Sequence, residues 1–162
     1  VTYDYAFTGA SSFNTVLTGF TQPIYVGSNV TVTLHITGNV KVTGSDGIKV
    51  EKGGKLTIFM EGKSFEVGGS SVVNDNESPP FFSYFGLPTN TEVKIGGSDK
   101  CRIYGAFYAP QAAFTMSGSG HFFGSIVAKT VTMNGNYQFH YDEALPPLSF
   151  MRGYVATSWR EL

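Results

Sequence analysis

The sequence predicts an all-β fold: a parallel β-helix, or solenoid, of about six coils with a cap at each end. Three observations predict it. Composition is the first, because 20 Gly, 14 Phe and 9 Tyr in 162 residues describe a turn-rich β protein. The second is a repeat of apolar, polar, apolar, any residue, glycine, then an apolar residue four positions on. The third is that the copies begin at 39, 64, 92, 113 and 130, at uneven intervals of 25, 28, 21 and 17. A coiled stack tolerates such intervals, since each coil touches only its neighbours and extra residues loop outwards.

The chain reads as one domain in three stretches. Residues 1–30 are less regular and are expected to form an incoming strand and an N-terminal cap. Residues 31–140 carry the coils. The copies are NVKVTGSDGI (39–48), SFEVGGSSVV (64–73), EVKIGGSDKC (92–101), AFTMSGSGHF (113–122) and TVTMNGNYQF (130–139). Strand side chains alternate, so the inward pairs are Val40/Val42, Phe65/Val67, Val93/Ile95, Phe114/Met116 and Val131/Met133. Gly44, Gly69, Gly97, Gly118 and Gly135 supply the corners. Ile48, Val73, Cys101, Phe122 and Phe139 open the next inward segment. Second strands fall between copies: VTLHI (32–36), LTIFM (56–60), GAFYAP (105–110) and GSIVAK (124–129), with Gly105 matching Gly124.

VNDNESPPFFSYFGLPTN (73–90) reads as an inserted loop, on its Asn, Asp, Ser and Pro content. The stack then needs a stop. Residues 141–162 break the repeat at Pro146-Pro147, and Phe150, Tyr154, Val155 and Trp159 are expected to fold back as a C-terminal cap over the open edge.

Charge and cysteine content exclude some partners. Eleven Lys+Arg against 12 Asp+Glu give a formal charge of −1, without like-charge runs, so neither nucleic acid nor an anionic membrane is an expected partner. No apolar run approaches the ~20 residues that span a bilayer. Cys101 is a lone cysteine, which excludes an intrachain disulfide and reads as a small buried apolar residue. The chain starts at Val1 rather than Met, the expectation for a mature fragment.

Five features could carry chemistry. Phe81, Phe82, Tyr84 and Phe85 make the inserted loop aromatic: the rings either cover a flank of the stack or form a platform for a sugar or peptide. The segment FHYDEAL (139–145) groups His140, Tyr141, Asp142 and Glu143 where the stack ends. Backbone groups there lose their next-coil partners, so the cluster reads as a stop and cap, with a binding site as the alternative for His140, Asp142 and Glu143. NDNE (74–77) has oxygen donors that suit Ca²⁺ but lacks the rest of a calcium loop, so it reads as a turn. His121 and His140 close two successive copies far from any zinc-motif spacing, and no metal or cofactor is expected. The outward residues between the inward pairs, Lys41, Glu66, Lys94, Thr115 and Thr132, should form a ladder of compensating charges. One acid in that row leaves the carboxylate pair of a polysaccharide hydrolase missing, and its long charged chains spoil an ice-binding plane.

The stretch from about Val32 to Leu145 resembles a bacterial β-helical domain of unknown function. That domain lies at the C-terminal end of PilX-like pilus-assembly proteins and other surface or secreted proteins. The carrying residues are LHITGNVKVTG, GGKLTIFMEG, YGAFYAPQAAFTMSGSGHFFGSIVAKTVTMNG and FHYDEAL, in that order. The resemblance implies a right-handed parallel β-helix, an extracellular or cell-surface location (or periplasmic) and a structural or adhesive part. It supplies no catalytic residue, and the aromatic PPFFSYF departs from the small residues common in the family's central loop. The expected function is a non-enzymatic module of an exported surface assembly, with a surface protein or polysaccharide as partner. The alternative is a carbohydrate-binding or carbohydrate-cleaving β-helix that uses the 81–85 aromatics.

Overall fold

The computed structural model describes residues 5–9, 11–42, 47–68, 72–98 and 101–142. Its strands are β1 (Tyr5–Phe7), β2 (Ser12–Leu17), β3 (Ile24–Val26), β4 (Thr31–Ile36), β5 (Val40–Val42) and β6 (Ile48–Val50). They continue with β7 (Lys55–Met60), β8 (Ser64–Val67), β9 (Val72–Asn74), β10 (Phe82–Gly86), β11 (Glu92–Gly97) and a long bent run, β12 (Arg102–Tyr141). All of these strands pair in parallel.

Three faces result. The first stacks β2, β4, β7, β10 and residues 106–108 of β12; the second stacks β5, β8, β11 and residues 113–118 of β12; the third stacks β1, β3, β6 and β9. Because β12 turns from the first face onto the second, those two join as one eight-stranded sheet. The chain is a parallel β-solenoid of about four turns, against the six expected. The N-terminal coil before the first copy meets the second face, among the described residues, through a single Phe20–Val40 bridge.

Alternation explains the core. On the first face Leu34, Ile58, Tyr84 and Phe107 form one inward column; on the second, Val40, Phe65, Val93 and Phe114 form another, and every member is buried. Each fully buried aliphatic or aromatic contributes about 1.5–3 kcal/mol. Like residues stack on like because a parallel in-register rung repeats the same environment every ~4.8 Å.

Three expectations need correction. The 73–90 stretch is not a loop throughout: after a tight turn at Pro79–Phe81, residues 82–86 form β10, the missing first-face rung. Turn-forming neighbours hid its alternation. Val72, not Val73, points inward, since Ile48 pairs with Val72 and Val73 pairs with Lys49. A shift of one residue exchanges the two faces of a strand. Finally, β1, β2 and β3 already stack in register, so the coils begin before residue 31.

Gly118 and Gly135 turn their corners with φ of +101° and +99°, as the repeat predicts. A Cβ on either would run into the carbonyl of the glycine one rung below, Gly97 for Gly118 and Gly118 for Gly135. Gly97 shares this column without a positive φ, while Gly44 and Gly69 lie outside the described residues.

Candidate functional site

The aromatic stretch divides by alternation. Phe82 and Tyr84 are inward strand residues with 0% exposure, so neither can meet a ligand. Tyr84 stands 4.9 Å from the Phe65 ring and 5.3 Å from the Phe107 ring. Phe81 is half-buried in the preceding turn. Phe85 points the other way, out of the stack, yet is 9% exposed because it stacks on Phe59 at 5.3 Å and 20°. Packing accounts for these rings.

Burying Tyr84 requires a partner for its hydroxyl, which donates to Asn90 Oδ1 at 2.9 Å. Asn90, itself 0% exposed, donates from Nδ2 to the Gly62 and Lys63 carbonyls at 3.1 and 3.3 Å. Burial pushes the Tyr84 phenol well above the usual range. NDNE is also architectural. Asn74 Nδ2 donates to Ser78 O and Tyr104 O at 2.9 and 3.2 Å, while its Oδ1 accepts from Asn76 N–H at 3.1 Å. Asn76 ties in the previous coil: its Oδ1 accepts from Gly53 N–H at 2.7 Å, and Nδ2 donates to Gly54 O at 3.0 Å. The amide oxygens expected of a calcium site are therefore engaged with N–H donors.

The outward ladder on the second face forms in the expected register, with Glu66 between Lys41 and Lys94 and Thr115 beyond. Lys41 Nζ lies 3.6 Å from Glu66 Oε2, whereas Lys94 Nζ pairs with Glu92 of its own strand at 2.8 Å. That hydrogen bond holds the Lys94 ammonium above its usual range.

The first face presents two adjacent outward columns that the sequence reading did not single out. One runs Asn14, Thr33, Thr57, Ser83, Ala106, all small; the other runs Val16, His35, Phe59, Phe85, Tyr108. Between them a shallow groove of about 300 Å³ is lined by Asn14, Thr33, His35, Phe59 and Leu87. His35 Nε2 is fixed by Glu61 Oε2 at 2.9 Å. Phe59 and Phe85 stack on each other, which covers one face of each ring. The column forms a ridge of mostly large side chains beside the groove. The signal was present in the period: one residue between two inward positions recurs as small and polar on four of the five first-face strands, with Ala106 on the fifth.

Of the FHYDEAL segment, residues 139–142 are described. His140 is exposed and lies flat on Phe123, at 4.4 Å and 10°, and Phe123 lies in turn on Tyr104 at 4.7 Å and 11°. Its polar partner is His121 of the preceding coil, with Nδ1 of His121 3.1 Å from Nε2 of His140. The Asp142 backbone N–H donates to Gly124 O at 3.3 Å, so the stacking continues at least this far. Glu143 and the rest of the expected C-terminal cap lie outside the described residues. Beside this edge, Tyr137 reaches back under the corner column into the space that a Gly97 side chain would fill. Burial pushes its phenol up to about 12, with the Cys101 thiol as a neighbour. Cys101 is buried, as expected, and its sulfur is in no disulfide.

Three parallel faces, glycine corners and columns of like side chains define a β-solenoid whose outer surface is a set of ordered ladders. The chain belongs to the family described as a domain of unknown function (DUF7305), whose model matches residues 27–148. No curated protein and no solved structure matches it. Among the described residues, no helix is long and apolar enough to cross a membrane, and no group of three or more His, Cys, Asp or Glu is placed to share a metal ion.

Proposed function

We propose that this domain is a non-enzymatic structural or adhesive module of an exported bacterial surface assembly, of the pilus-assembly kind that the sequence resembles. The observation that supports it most is the first face. Its outward columns run in register across five strands: small side chains, hydroxyl or amide on four of the five, beside a mainly apolar ridge. A stacked rod holds such columns rigid without a ligand, so little ordering entropy is lost when an extended partner lies along them. A surface protein or polysaccharide at the cell exterior is the partner class. The 81–85 aromatics do not support a separate sugar site, since Phe82 and Tyr84 belong to the core.

Thr57 sits mid-column with Thr33 and Ser83 on either side. Thr57→Lys places a long solvated chain on the face without entering the core. In pull-down on purified bacterial cell envelopes and on insoluble cellulose and chitin, wild type should be retained. Thr57→Lys should lose at least about tenfold while melting unchanged, the pattern of a lost central contact. Equal retention of both proteins, or none of wild type, would rule out adhesion through this face.

A further inference from the structure

The pair His121–His140 is the best-placed donor set on the outer surface, and the sequence separates it by 19 positions. The two copies align Phe122 with Phe139, whose rings stack at 5.2 Å and 6°, and so put His140 one rung above Phe123 and diagonal to His121. Diagonal neighbours on adjacent strands are within reach of long side chains. With nitrogens 3.1 Å apart but ring centroids 5.4 Å apart and 19° from parallel, the imidazoles meet head to head, one N–H donating to the other ring's bare nitrogen.

We propose that His121 and His140 form a surface site for a borderline divalent transition metal, Cu²⁺, Ni²⁺ or Zn²⁺, which takes the place of the shared proton while that proton passes through water to the other nitrogen of the ring that carried it, so both imidazoles ligate neutral. Metal–nitrogen bonds of ~2.05 Å across the 3.1 Å gap subtend an N–metal–N angle of about 100°. That value lies between the ~90° of square-planar or octahedral sites and the ~109° of tetrahedral ones. Each lone pair has to turn about 40° away from the line joining the nitrogens, a motion open to exposed rings. Phe123 and Tyr104 stack beneath His140 and limit its alternatives, so the second donor is supplied at high effective concentration. Imidazole suits these metals and not Ca²⁺ or Mg²⁺. Two protein donors leave the other positions to water or to a donor from a bound molecule. The site joins the last described coil to the one before it, so a bound ion should stabilise that end of the stack.

The test is calorimetric titration of the tag-free full chain with Ni²⁺, Cu²⁺ and Zn²⁺ at pH 7.5. One ion per chain is expected, in the order of affinity Cu²⁺ above Ni²⁺ and Zn²⁺, with a rise in Tm on loading. His121→Ala and His140→Ala should each weaken binding about 100-fold, whereas His35→Ala should not. Because His140→Ala also removes a stacked ring, electron paramagnetic resonance of the Cu²⁺-loaded wild type gives a second reading, and two coordinated imidazole nitrogens are expected. Binding unchanged by either substitution, a one-nitrogen spectrum or no uptake by wild type would each overturn the proposal.

Discussion

Individual polar side chains decide how tightly the coils are tied. Asn90 is the clearest case, because its amide serves one buried phenol and two backbone carbonyls at once. Removing it leaves several buried groups without partners, each costing about 1–3 kcal/mol. Asn90→Ala should therefore destabilise by about 3 kcal/mol in urea unfolding, and Tyr84→Phe by about 1–2 kcal/mol. The double substitution should cost less than the sum by about 1 kcal/mol, since both remove the same bond. Strict additivity would show that the bond contributes nothing. The tyrosines also set an alkaline limit. The folded-state phenols of Tyr84 and Tyr137 lie above their ordinary value. A raised pKa contributes stability that is complete below the unfolded value near 10 and is lost as pH climbs through the folded one. For Tyr137 that window runs from about 10 to about 12. Tm should stay level up to about pH 9.5 and then fall, and Tyr137→Phe should fall less steeply there. Superimposable curves would remove Tyr137 from the alkaline transition. None of this was legible from the sequence, where Asn90 is one of many turn-forming residues and nothing marks its burial.

At the scale of the strand and corner, the sequence was most informative. The inward pairs of the first four copies, the second strands 32–36 and 56–60 and the Lys41–Glu66–Lys94 ladder fall in the expected register. Period-2 alternation is a property of the chain itself, which is why it can be read without a structure. Two errors share one cause. β10 and the Val72/Val73 slip both lie where turn-forming residues crowd a short strand, leaving too few alternations to fix its phase. Corners supply the element-scale test. Gly118 combines a left-handed φ with a carbonyl in the path of any Cβ, whereas the ideal Cβ of Gly68 meets only Val42 O at an ordinary 3.7 Å. Gly118→Ala should cost about 2–3 kcal/mol and Gly68→Ala under about 1 kcal/mol. Matching midpoints in urea would mean that the corner column tolerates a side chain and is not what fixes the turn.

For the whole molecule, the open question in a stack is its ends. Columns that are fully buried in mid-stack become exposed in the last coil, where Val131, Met133 and Phe139 are 49%, 46% and 40% accessible among the described residues. These are inward positions of the fifth copy, aligned with buried Phe114, Met116 and Phe122 in the fourth. An uncovered rung of parallel strand offers both apolar surface and unpaired backbone groups, the two features that drive edge-to-edge association. The sequence expects residues 141–162 to form the cap, and it holds Phe150, Tyr154, Val155 and Trp159 for the purpose. Deleting 143–162 should lower Tm by several degrees and give concentration-dependent association in sedimentation. Replacing Phe139 with Lys in the shortened chain should restore a monomer, because charge on an edge opposes its pairing. A shortened chain that stays monomeric with unchanged Tm would show that the last coil needs no cover. The same geometry brings together His121 and His140, which the sequence places at the ends of two successive copies but far from any zinc-motif spacing. Spacing along the chain does not show that two side chains meet across coils, which is why the contact had to come from the stacked structure.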